Sequence, residues 1–123
     1  MGIIRGKGIW REVMNKIVLI GRLTKDPEIT IVEETGKALC KLILAVDRLF
    51  KDSNGEKQAD FIPIVFWDKK AEIICEYMTK GKMISVSGRL QTGSYEASDG
   101  TKRYKAEVIV EDFQFVDSKK EVV

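Results

Sequence analysis

A small all-β barrel carrying a single helix is the fold class this sequence predicts, and three observations predict it. Apolar residues recur mainly with a period of two, in short runs rich in Ile, Val and Leu. Only the stretch from Asp68 to Gly81 carries the spacing of a helix face. Gly21 interrupts the first strand run, and closed barrels need such bends or bulges to turn their corners.

Length and composition set the bounds. The chain holds 123 residues, 44% hydrophobic and 33% charged, the make-up of one soluble globular domain. Folding at this size buries roughly two-thirds of the unfolded surface, so a core needs neither disulfide nor metal. No apolar run approaches the ~20 residues that span a bilayer, and no membrane partner is expected. Cys40 and Cys75 make no C-x-x-C pair and histidine is absent, which leaves no metal site and no cofactor to expect. Both thiols read as small apolar side chains in a reducing cytoplasm. Without histidine, a nucleophile motif or a Gly-rich phosphate loop, the carboxylates Asp47, Asp60, Asp68 and Glu72 do not add up to an enzyme. Net charge is +2, from 21 basic and 19 acidic residues, too little for bulk attraction to a polyanion. Local clusters and exposed rings would have to carry such binding.

Taken in order, residues 1–13 contain three glycines and no clear period, and read as an N-terminal extension, either a basic arm, an extra edge strand or an addition foreign to the domain. Residues 14–117 are the expected domain. Asn15 to Leu23 is a first strand apolar on both faces, Ile17 and Leu19 against Val18 and Ile20, so one face expects the core and the other a partner subunit. Asp26-Pro27 turns the chain. Ile29–Val32 pairs with Ala38–Asp47, whose inward face is Cys40, Leu42, Leu44 and Val46. A polar loop containing Asn54-Gly55 follows, with Phe50 at its mouth. After the strand Phe61–Trp67, Ala71, Ile74, Cys75 and Met78 form one helix face, with Asp68 as N-cap and Gly81 as stop. Met83–Tyr95 alternates again, Ile84, Val86, Gly88 and Leu90 inward and Arg89, Gln91 and Tyr95 outward. Asp99-Gly100 marks a hairpin tip. Arg103–Val116 returns, with Ala106, Val108 and Val110 in one register and Phe113 and Phe115 in the other, which a bulge near Asp112 would reconcile. Residues 118–123 are expected to be disordered. Three strands, a helix and two strands match a five-stranded Greek-key barrel, the OB-fold, with its helix between strands three and four. Such barrels bind oligonucleotides or oligosaccharides on their strand 2–3 face.

The strand Phe61–Trp67 makes two demands at once. Ile62, Ile64 and Phe66 share the core face, while Phe61, Pro63, Val65 and Trp67 share a face too aromatic for ordinary solvent surface. Phe61 and Trp67 would stand about 20 Å apart, a ruler with a ring near each end. Pro63 removes a ladder donor mid-strand, so a break in the ladder is expected there. Phe50, Phe61, Trp67 and Tyr95 all fall off the inward register, and each neighbours a cation: Lys51, Lys69, Arg89 or Arg103. Rings that stack bases beside cations that track phosphates are the chemistry of single-stranded nucleic acid.

The run Asn15-Lys16-Ile17-Val18-Leu19-Ile20-Gly21-Arg22-Leu23 with Lys25-Asp26-Pro27-Glu28 resembles the opening of bacterial single-stranded DNA-binding proteins (SSB). The resemblance continues through Leu44-Ala45-Val46, Phe50-Lys51, Phe66-Trp67-Asp68-Lys69, Tyr77, Lys80-Gly81, Ser87-Gly88-Arg89-Leu90, Thr92 and Tyr95. It implies an OB-fold that binds single-stranded DNA in replication, recombination, repair or DNA uptake, stacking bases at Phe50, Phe61, Trp67 and Tyr95. It implies a cytoplasmic, nucleoid-associated homotetramer, a dimer being possible, with first-strand edges paired. The family's acidic tip, ending Asp-Asp-Ile-Pro-Phe, has no counterpart in Glu121-Val122-Val123; a short form is expected, without tip-mediated recruitment of replication or repair proteins. Alternatives are a primosomal replication adaptor of the same fold and an OB barrel that binds no nucleic acid.

Overall fold

The structure, a computed structural model, describes residues 13–116. The expectations for the front extension, Val13 apart, and for residues 118–123 lie outside that range. Six strands and one helix follow in the order β1 (Ile17–Leu23), β2 (Thr30–Ile31), β3 (Ala38–Asp47), β4 (Ala59–Trp67), α1 (Lys69–Tyr77), β5 (Met83–Glu96) and β6 (Lys102–Val116). The sheet order β1-β5-β6-β4-β3 closes on itself through a β1–β3 pairing. Five strands therefore form a ring, β2 is a two-residue pairing on the edge of β3, and α1 sits between the third and fourth strands of the ring. This is the OB-fold that the alternation predicts.

Closure depends on two glycines. A Cβ on Gly21 would stand 2.5 Å from the Ala45 carbonyl oxygen, where β1 leaves β5 for β3. Gly21 is needed for close approach, not for a bulge, since the β1–β5 register runs unbroken from Ile17 to Arg22. A Cβ on Gly88 would collide with the backbone of Ile109. Gly88 lies at the one register shift between β5 and β6, where Ser87 faces Asp112 and Gly88 faces Val110, leaving Glu111 as the extra residue. The bulge expected near Asp112 is there, and it turns Phe113 and Phe115 onto the inward register.

Phe66, Leu44, Ile64, Ile74, Ile84, Val86, Val108 and Cys40 are fully buried and fill the barrel. Each large side chain among them contributes about 1.5–3 kcal/mol by leaving water. Phe113 meets Phe66 edge to face, ring centroids 5.6 Å apart. Ala71, Ile74 and Met78 close the barrel from the helix side, with Cys75 half-buried against them. The Cys40 thiol is pushed up to about 12 by burial and then by the neighbouring Cys75, which makes it a poor nucleophile.

Five expectations need correction. The ladder is unbroken at Pro63, which pairs with Ile43 in a continuous β3–β4 register. The Ile43 carbonyl accepts from the Thr24 hydroxyl at 2.7 Å, so its polar groups point away from β4, and 43–63 is a non-hydrogen-bonded pair that asks no donor of Pro63. The inward set Ile62, Ile64 and Phe66 nevertheless holds, with Ile62 partly buried against the core. Leu90 and Ala106 keep the inward register but are exposed, because the β5–β6 hairpin runs on past the barrel. Val65, on the outward face, is buried where β4 meets β6. Asp68 occupies the N-cap but its side chain makes no cap bond; its backbone is left-handed, φ 57°, and its N–H donates to the Ala38 carbonyl. The helix ends at Tyr77, four residues short of Gly81.

Candidate nucleic-acid interface

The outward face of the barrel can be built row by row from the pairings. Lys41 lies opposite Val65, Val65 beside Ile109, and Ile109 opposite Arg89. Directly paired residues point to the same side of a sheet, so these four form one row across β3, β4, β6 and β5. On one side of that row come Ile43 with Pro63 and Glu107 with Gln91, then Ala45 with Phe61 and Lys105 with Gly93, and finally Arg103 with Tyr95. On the other side Leu39 pairs with Trp67. Phe61, Trp67, Arg89, Tyr95 and Arg103 thus share one continuous surface.

Exposure separates the rings. Phe50, Phe61 and Tyr95 are 78%, 64% and 54% exposed, an unusual state for aromatic side chains with no interior to fill. Trp67 is half-buried beside Leu39. Lys51 and Lys69 are exposed and join none of the four ion pairs formed among the described residues. Lys69 opens α1 directly after the Asp68 turn, which redirects the chain behind Trp67.

The chain leading to Phe50 is clasped to β4. Arg48, two residues before it, donates from Nε and Nη2 to Asp60 at 3.1 and 2.8 Å, and Asp60 immediately precedes Phe61. The pairing depresses the Asp60 carboxyl below its usual range and raises the Arg48 guanidinium. The loop beyond Phe50 folds on Asp52, whose carboxylate accepts from the Asn54 and Glu56 N–H groups and from Gln58. Gly55 takes the positive φ that this turn requires.

The hairpin tip has its own lock. Asp99 accepts from the Thr101 N–H and hydroxyl at 3.0 and 2.7 Å, bonds that hold its carboxyl below the usual range. Arg103 donates to the Thr101 hydroxyl and lies 3.5 Å from Asp99, so it serves the tip as well as facing the same side as Tyr95. Arg89 donates to Gln91 across one strand step.

Reading the sequence overlooks several residues here. Lys25 and Lys41 line a shallow groove with Ile43, Pro63 and Glu107 on the same face. Lys41 could have been found as the outward complement of Cys40 and Leu42, whereas Lys25 and the Arg48–Asp60 pair depend on contacts that only the fold creates. Tyr104, 77% exposed on the other side of the hairpin, is a further ring.

Residues 14–116 match the model of the single-strand binding protein family. The chain is 57% identical over 104 residues to single-stranded DNA-binding protein 2 of Clostridium acetobutylicum, covering 85% of this chain and 77% of that protein. It is 54% identical over 104 residues to the single-stranded DNA-binding protein of Clostridium tetani, with 85% and 71% covered. Single-stranded DNA-binding protein 1 of Clostridium acetobutylicum is 49% identical over 110 residues, 89% of this chain and 100% of that protein.

Proposed function

The chain belongs to the single-strand binding protein family, and from that premise we propose that it binds single-stranded DNA with tolerance for sequence, through the outward face just built. Bases stack on Phe50, Phe61, Trp67 and Tyr95, and Lys51, Lys69, Arg89 and Arg103 meet the phosphates, with Lys41 and Lys25 added from the groove. The observation that carries this reading is the continuity of that surface: exposed rings and cations on four adjoining strands, over a packed core that needs none of them for its own stability. Each stacked base is worth about 1–3 kcal/mol, so three or four supply a substantial part of micromolar affinity, about −8 kcal/mol, without a large net charge. Duplex keeps its base faces covered and offers the rings nothing. The reading is of binding without catalysis, in replication, recombination, repair or DNA uptake in the cytoplasm at the nucleoid.

Self-association belongs to the same proposal. Val18 and Ile20 are 67% and 54% exposed on a strand paired to β5 and, among the described residues, without a partner on its other edge until Arg22. A second copy laid along that edge would cover both, and a homotetramer would carry one DNA strand over several barrels.

Competition tests the binding: labelled oligo(dT) is titrated to saturation, followed by unlabelled dT or duplex of equal length. Displacement by dT with none by duplex is expected, and equal displacement by the two would contradict stacking. The slope of log K on log salt counts the phosphate contacts separately. Light scattering distinguishes the tetramer from the dimer expected of an adaptor.

A further inference from the structure

The hairpin carries rings on both of its faces. Tyr95 pairs with Arg103 on the outward side, whereas Tyr104 pairs with Ser94 and points to the opposite side. Tyr104 continues the inward register of Val110 and Val108, yet it is 77% exposed because the hairpin has left the barrel behind. Its neighbours on that face are Ser94, Thr92 and Ala106, all too small to cover a phenol ring. Together with Gly93 and Lys105 they line an open groove beside it. Gly93 is not required by crowding, since a Cβ there would meet nothing closer than the Lys105 Cε at 3.6 Å. The pair Glu96–Lys102 closes the row toward the tip and contributes one charge of each sign.

We propose that Tyr104 is a fifth stacking site, so that a single strand leaving Tyr95 wraps the hairpin and lays a base on each of its faces. This rests on the single-strand reading above. The open ring supplies the stack, Lys102 on the same face meets a phosphate beside it, and the Ser94 and Thr92 hydroxyls can donate to or accept from base edges. That last feature gives this subsite a means of preferring some bases, which bare rings lack.

The test is the affinity of Tyr104→Ala, Tyr104→Phe and Tyr95→Ala for oligo(dT) against the unsubstituted protein, with assembly mass measured alongside. Tyr104→Ala should weaken binding about 5- to 150-fold, the span of one lost stack, with an unchanged salt slope, while Tyr104→Phe restores affinity. Unaltered affinity in Tyr104→Ala beside a weakened Tyr95→Ala would overturn the fifth site and leave the main reading intact. A fall in assembly mass with affinity unchanged would make this face a contact between copies instead, and would also overturn it. Failure of the unsubstituted protein to bind dT at all would sink both.

Discussion

Phe61 and Phe66 lie five residues apart on β4, one 64% exposed and the other fully buried. The same side chain serves opposite ends because strand alternation sends it to opposite faces. Phe66 is gripped by Phe113 and the barrel wall. Phe61 has only Ala45 directly across from it and the Arg48–Asp60 pair behind. What the difference teaches is that a ring's residue type says little about its role until the face is known. It also sets this surface apart from the exposed face of β1, where Val18 and Ile20 are aliphatic and suited to another protein chain rather than to a base.

Substitution can break that contrast. Phe66→Ala should cost about 3–5 kcal/mol of stability, read as a lowered denaturant midpoint, whereas Phe61→Ala should leave the midpoint nearly where it was. Binding should reverse the order: Phe61→Ala or Trp67→Ala loses about 1–3 kcal/mol of affinity for oligo(dT) for each stack removed. Charging the aliphatic face by Val18→Lys with Ile20→Lys should reduce the assembly mass seen by light scattering, and short-oligonucleotide binding should be retained. Arg48→Ala unclasps the chain before Phe50 from the strand before Phe61, so affinity falls a few-fold with hardly any change in thermal midpoint. The smallest effect expected is at the hairpin tip. Asp99 has its carboxyl depressed in the fold, so the order it supplies is present above the ordinary aspartate range and is lost as pH falls through the lowered native value. A fall in the protection factor of the Thr101 amide on acidification, its exchange taken relative to the intrinsic rate at each pH, matched at neutral pH by Asp99→Ala, would register it.

Most of the barrel is legible in the sequence because closure and burial write themselves into period two. The inward sets of β3, β4 and the first half of β5 follow from alternation alone. Alternation is silent on which edge a backbone N–H addresses, and so Pro63 reads as a ladder break when it sits harmlessly in a non-hydrogen-bonded pair. It is equally silent on where a strand outlives its barrel, so Leu90 and Ala106 read as core and stand in solvent. At the candidate interface the four rings are visible as off-register aromatics. The Arg48–Asp60 clasp and the Lys25–Lys41 groove join residues distant in sequence and come only with the fold.

The claim that the outward face takes single-stranded DNA is tested most directly at Trp67, which lies on that face opposite Leu39. Its fluorescence should quench and saturate as oligo(dT) is added at low salt, should ignore duplex, and should lose the response in Trp67→Phe, which removes the reporter while Trp10 remains. No quenching by dT, or an equal quench in Trp67→Phe, would contradict the account.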